Sequence, residues 1–231
     1  MRLYLKIFFL LTAFNVFSQN TNPVSPFMKT DSLYREDQFY LGITYNTLQK
    51  RPSGISQNRF TPSFSVGFLR DMPINNNRNV AIAAGLGYSI NNYNQNLIIS
   101  GTNGFPVYDV IDPKVSYNKN KLVLHYVDLP IEFRWRTSRP ESHKFYRIYS
   151  GFKLSYLVYD RSKYVDNQST IKITGNPDFN KLQYGSYLAF GYNTWNFHVY
   201  YGLNPIFKSA KIDNQSVDMH TLNFGLMFYI L

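Results

Sequence analysis

Six charged residues carry the most chemical potential in this chain, because their spacing gives them a common face. Asp128, Glu132, Arg134 and Arg136 sit at even positions of one alternating segment, and Arg147 and Lys153 take the matching parity in the next. Side chains two apart on an extended strand point the same way. If the sheet that holds them closes on itself, all six meet in its interior. Opposite charges in a space too narrow for bulk water pair and hydrogen-bond. One reading makes the cluster a structural lock on the hairpin formed by the two segments. The other makes it a selectivity filter or proton path. A lumen of eight strands is normally filled by side chains, which favours the lock.

Other reactive constellations are sparse. The four histidines, His125, His143, His198 and His220, show no metal-ligand spacing to one another. With no cysteine in the chain, thiol catalysis, disulfides, Cys-based metal sites and lipoprotein acylation are all excluded. A membrane hydrolase needs a nucleophile, a base and an orienting group at one point. His198 with Ser155 or Ser186 is the candidate set, but they lie on different segments, and a structural histidine is the expectation. Gly85 and Gly87 precede no helix and make no phosphate-binding loop. The sequence therefore predicts no enzyme, no metal and no cofactor.

The elements that would position the cluster are strands. Residues 1–18 read as a secretory signal peptide: Arg2 and Lys6, an apolar core from Ile7 to Phe17, then Ser18 before a cut at Gln19. The apolar run is too short for a spanning helix, which needs about 20 residues, and nothing longer follows. Residues 19–37 read as a periplasmic lead-in, and 38–231 as the barrel domain. The chain has 20 Tyr and 19 Phe, with only 16% charged residues. Barrel walls need aromatic girdles and keep charge off the lipid face. The formal charge is +10, or +8 once Arg2 and Lys6 leave with the signal. For an exported chain, a basic balance points to anionic lipid or lipopolysaccharide rather than nucleic acid.

From Gln38 onward the hydrophobic pattern has period two. Phe39, Leu41 and Ile43 alternate with Tyr40, Gly42 and Thr44; Phe64, Val66 and Phe68 alternate with Ser63, Ser65 and Gly67; Ile82, Leu86 and Tyr88 alternate with Ala81, Ala83, Gly85 and Gly87. In the fourth strand Leu122, Leu124 and Tyr126 share one parity, while Val127, Leu129, Ile131, Phe133 and Trp135 share the other. That switch predicts a β-bulge between Tyr126 and Val127. Four more strands follow around residues 146–158, 182–192, 195–203 and 222–230. Long links at 49–59, 93–120, 160–180 and 208–218 alternate with short ones near 71–79, 138–144 and 193–194. An outer-membrane barrel shows this alternation of external loops and periplasmic turns. The prediction is an all-β, eight-stranded antiparallel transmembrane up-and-down β-barrel in the cell outer membrane. A soluble lipocalin-like barrel would put bulk inside and charge outside, the reverse of this parity.

The external links carry Lys50, Arg51, Arg59, Lys114, Lys119, Lys121, Arg161, Lys163, Lys208 and Lys211. They are either solvated or available to lipopolysaccharide phosphates, and the sequence leaves both readings open.

Tyr126-Val127-Asp128-Leu129-Pro130-Ile131-Glu132, continuing Phe133-Arg134-Trp135, resembles the aromatic, acidic, Leu/Ile-Pro segment of small outer-membrane barrels of the PorT family. The likeness continues through Phe145-Tyr146-Arg147-Ile148-Tyr149-Ser150-Gly151-Phe152-Lys153-Leu154-Ser155-Tyr156. It implies a role in type IX protein secretion and the gliding motility that depends on it, with other secretion-system proteins as partners. It carries no catalytic residue. A small porin-like transport barrel is the alternative.

Overall fold

The structure, a computed structural model, describes residues 37–57, 59–102, 104–137 and 145–230. The signal peptide, all of the lead-in but Asp37, the 138–144 turn with His143, and Leu231 lie outside the described residues.

Thirteen strands are present among them: β1 (Gln38–Gln49), β2 (Pro62–Pro73), β3 (Val80–Asn94), β4 (Leu97–Thr102), β5 (Phe105–Val110), β6 (Lys119–Arg136), β7 (Tyr146–Val165), β8 (Thr170–Thr174), β9 (Leu182–Tyr192), β10 (Trp195–Gly202), β11 (Lys211–Ile212), β12 (Gln215–Ser216) and β13 (His220–Ile230). Eight of these, β1, β2, β3, β6, β7, β9, β10 and β13, form the wall. Each pairs antiparallel with the next, and β13 returns to β1 from Phe39↔Ile230 to Gln49↔His220. The eight-stranded wall itself has no open edge among the described residues, which answers the hazard that unpaired strands present. The tightest link is Asn193–Thr194, where Asn193 adopts φ 55°. Two-residue hairpin loops demand such a positive φ.

The period-two pattern sorts the two faces as expected. Phe39, Phe64, Leu86, Leu129, Phe133, Leu188 and Phe190 are exposed on the outside, while Tyr40, Ala83, Asp128, Arg134, Tyr187 and Tyr229 are buried within. The inward glycines do more than keep a narrow lumen open. An ideal Cβ on Gly151 would stand 2.2 Å from the Tyr187 ring, and one on Gly67 2.6 Å from the Tyr40 ring. Each tyrosine lies flat across a glycine of the neighbouring strand, so these glycines are close-approach sites.

Two expectations change. The parity of β6 never switches: Leu122, Leu124, Tyr126 and Asp128 all point inward. What changes is the interior they meet. Below Tyr126 it is polar, and above it is a second apolar core. The register irregularity falls between His125 and Tyr126, where Val158 of β7 is the extra residue.

The second change concerns the long external links, which are not plain loops. β4 and β5 make a hairpin, β8 adds to the upper part of β7, and β11 pairs with β12. Their inward residues build one apolar cluster over the barrel mouth, including Leu97 and Ile99 of β4, Tyr108 of β5, Ile173 of β8, and Phe179, Phe207 and Met219 from the connections. Burying such side chains stabilises by roughly 1.5–3 kcal/mol each. A hydrogen-bond knot ties the cap together. Tyr108 donates to Asp178 at 3.0 Å and accepts from the Asn176 amide at 2.8 Å, and Ser209 donates to Asp178 at 2.6 Å.

Candidate functional site: the luminal charge network

All six predicted charges enter the barrel, but they divide into three groups. The centre of the first is Asp71, at the start of the short 71–79 link expected from the sequence. It lies on β2, buried at 1% exposure. Its two oxygens accept from Arg136 Nη1 and Nη2, both at 2.8 Å, and from Arg134 Nη1 at 3.0 Å. Arg134 Nε donates to Glu132 at 2.7 Å. Glu132 also accepts from Tyr187 at 2.8 Å and Tyr229 at 3.1 Å. The Tyr149 ring faces the Arg134 guanidinium at 4.8 Å. Both arginines are wholly buried. Bidentate guanidinium–carboxylate geometry suits such a buried site because it satisfies several donors at once.

Tyr187 reaches Glu132 only by crossing Gly151, which stands between them in the sheet row Glu132↔Gly151↔Tyr187. The glycine therefore belongs to the network although it carries no functional group. Asp71 was legible in principle, since the inward parity Ser63, Ser65, Gly67 continues through Leu69 to Asp71.

The second group pairs Lys153 with Asp128, at 3.6 Å. Ser155 donates to Asp128 at 2.5 Å, and the Lys153 ammonium lies 4.5 Å from the centre of the Tyr200 ring. Arg147 stands apart from both carboxylate groups. It packs on Phe145 at 4.5 Å, on Tyr229 at 5.6 Å and on Tyr149 at 5.8 Å. These cation–π contacts replace the ion pair expected of it. The hydrolase set does not assemble: the Ser155 hydroxyl is committed to Asp128, and Ser186 is exposed on the outer face while His198 is buried inside.

The interior keeps two cavities of about 30 and 20 Å³: the larger is lined by Asp128, Glu132, Tyr187 and His198, the smaller by Tyr126 and Ser155, and both touch Lys153 and Asn223. Each is large enough for one or two waters. The lumen is thus filled at two levels, by ion pairs toward the periplasmic end and by apolar side chains toward the outside.

A closed antiparallel barrel with an apolar, aromatic-rich outer face and a polar interior is a membrane-spanning barrel of the outer-membrane class. Residues 17–208 match the family model described as outer membrane protein beta-barrel domain, and the chain belongs to that family. It is an outer-membrane protein. No curated protein matches the chain. Among solved structures it is similar to Ail, the attachment invasion locus protein of Yersinia pestis, at 12% identity and a TM-score of 0.40, covering 86% of this chain and 100% of that one. A mutant porin of Rh. blastica is similar at 8% identity and a TM-score of 0.21, covering 85% of this chain and 100% of that one. Likenesses this distant carry no function across.

Proposed function

We propose that this protein is a non-conducting, non-enzymatic barrel that serves a protein-export apparatus, as a PorT-type component of type IX secretion and of the gliding motility that depends on it. The observation that carries the non-conducting part is the filling of the lumen at two levels. The buried Asp71–Arg134–Arg136–Glu132 network fills the interior at one level and the apolar cap lies over the other end, which supports a lumen closed to solute. A barrel closed in this way acts through its outer wall, its cap and its rims. The export part rests on the resemblance of Tyr126–Trp135 and Phe145–Tyr156 to the PorT protein. Most of that segment lies in β6 and β7, whose inward side chains include all six of the luminal charges.

Clean deletion of the gene tests the export role. Type IX cargo is expected to stay in the cell and gliding to stop, and normal secretion with normal gliding would refute the reading. Planar-bilayer recording of the purified barrel should be silent. Steady ohmic conductance would put the porin-like reading in its place.

A further inference from the structure

Four of the cations read from sequence as scattered loop charges lie on one sheet face. Above the membrane-spanning part, β6 and β7 continue upward together and β8 joins them. Lys121 of β6 stands directly opposite Lys163 of β7, and Lys163 directly opposite Lys172 of β8. Lys119 and Arg161 share the outward parity of the flanking rows. Like charges directly opposite each other in a sheet are destabilising. Yet among the described residues no carboxylate forms an ion pair with any of these five. Burial and the neighbouring Lys119 charge both push the Lys121 ammonium below its ordinary value. The fold thus maintains an uncompensated row of cations, and its stability alone does not explain it.

The position of the row suggests what would compensate it. The same outward face of β6 carries Val127, Leu129, Ile131, Phe133 and Trp135 below. Between them and the lysines is an aromatic group: the Tyr88 hydroxyl bonds His125 Nδ1 at 2.7 Å, and the Tyr159 ring meets the His125 ring at 5.2 Å. Such groups mark the water interface of a barrel wall. With about 3.3 Å of rise per residue and a strand tilt near 40°, Lys121 stands roughly 10 Å above His125. That is headgroup height, on a face turned toward the surrounding lipid and away from the lumen.

We infer that the outward face of the β6–β7–β8 extension is a binding site for the phosphorylated headgroup of an outer-leaflet glycolipid, held by Lys121, Lys163 and Lys172. The inference is independent of the export role, since it requires only a barrel in an outer membrane. Phosphate oxygens would supply the charge that no carboxylate of the chain supplies, and three adjacent strands place the ammonium groups across about 10 Å of surface.

The test uses the full barrel reconstituted in phosphatidylcholine vesicles doped with bis-phosphorylated lipid A, with retained glycolipid counted by native mass spectrometry after detergent extraction. The protein should keep bound lipid A. The triple variant Lys121→Gln, Lys163→Gln, Lys172→Gln should lose roughly a hundredfold or somewhat more in retention, from the usual contribution of each lysine near an anionic surface. The corresponding triple Lys→Arg variant should retain binding. Lipid A stripped of its phosphates should be lost as readily as it is from the glutamine variant. The heat-dependent gel shift of a closed barrel verifies folding, and Lys163→Gln alone, expected to lose about fivefold, serves if the triple variant does not fold. Equal retention by the glutamine variants or by phosphate-free lipid A would overturn the inference. So would displacement of lipid A by millimolar inorganic phosphate, by an oligonucleotide or by an acidic polysaccharide, each of which would mark a site for a soluble anion.

Discussion

Replacing Asp71 with Asn keeps the shape of the side chain and removes the charge on which two buried guanidinium groups converge. Three charge-assisted contacts change at once, two from Arg136 at 2.8 Å and one from Arg134 at 3.0 Å. Each such bond is worth about 1.5–3 kcal/mol in general, but the arginines keep other partners. Glu132 still holds Arg134, and the Arg78 carbonyl still accepts from Arg136 Nε at 3.1 Å. The net cost should match that of breaking one member of a buried ion pair, about 3–5 kcal/mol. Denaturant unfolding in phospholipid vesicles measures it, with Trp135 and Trp195, both exposed on the lipid face, as fluorescent reporters. Adding Arg136→Gln to Asp71→Asn should recover a good part of the loss, because the excess positive charge is then removed. Arg70→Ala supplies the contrast. Its pair with Asp37 at 2.7 Å is half exposed, so it should cost no more than about 1 kcal/mol. If Asp71→Asn unfolds within about 1 kcal/mol of the parent, the network is not what holds this end of the barrel together.

Three further outcomes can be checked. Gly151→Ala would drive a Cβ to 2.2 Å from the Tyr187 ring; it should cost about 1–3 kcal/mol in the same unfolding assay and detach Tyr187 from Glu132, and an unchanged midpoint would contradict the close packing. Closure at two levels predicts that replacing Asp71, Arg134 and Arg136 together with serine leaves bilayer recordings silent, as does trimming residues 97–110, whereas the combined variant conducts; conductance from either lesion alone would refute double closure. In the exposed turn after β7, Asp166 accepts from the backbone N–H groups of Gln168 at 2.8 Å and Ser169 at 2.6 Å, which hold its carboxyl below the ordinary 3.8. A carboxylate lowered in the folded state stabilises the turn above that value and loses its contribution as the pH falls through the lowered one, so the titration of the Gln168 and Ser169 amide resonances should have its midpoint below 3.8, and a midpoint at or above 3.8 would contradict it.

The wall was legible because period two is a local signal. Phe39, Leu41 and Ile43 declare their face within a few residues, and the alternation of long and short links orders the strands without any knowledge of contacts. The six luminal charges were legible for the same reason. Asp71 is harder to see because its Asp-Met-Pro segment looks like the beginning of a turn although the alternation runs on through it. Arg147 faces the interior as expected, but its partners are rings rather than carboxylates, a choice made by strand register that composition does not reveal. The cap was not legible at all. Its apolar residues come in short groups such as Leu97 with Ile99, Ile171 with Ile173, and Val217 with Met219, and only assembly across distant loops turns them into a core. The same cap explains β6, where the apolar run Leu122, Leu124 and Tyr126 looks like a reversed face because nothing local announces that the interior above it is apolar.

The cap also bears on how the barrel comes to stay in its membrane. Its apolar cluster draws on all four external connections, so it cannot condense until every one of them has crossed to the far side. Before that point the loops are separate polar-flanked segments; afterwards, withdrawing any strand means breaking up a core shared by the others. Insertion then has a direction imposed from outside, because the final step is local collapse in water rather than any event within the lipid. Escape is slowed by the same contacts that played no part in entry.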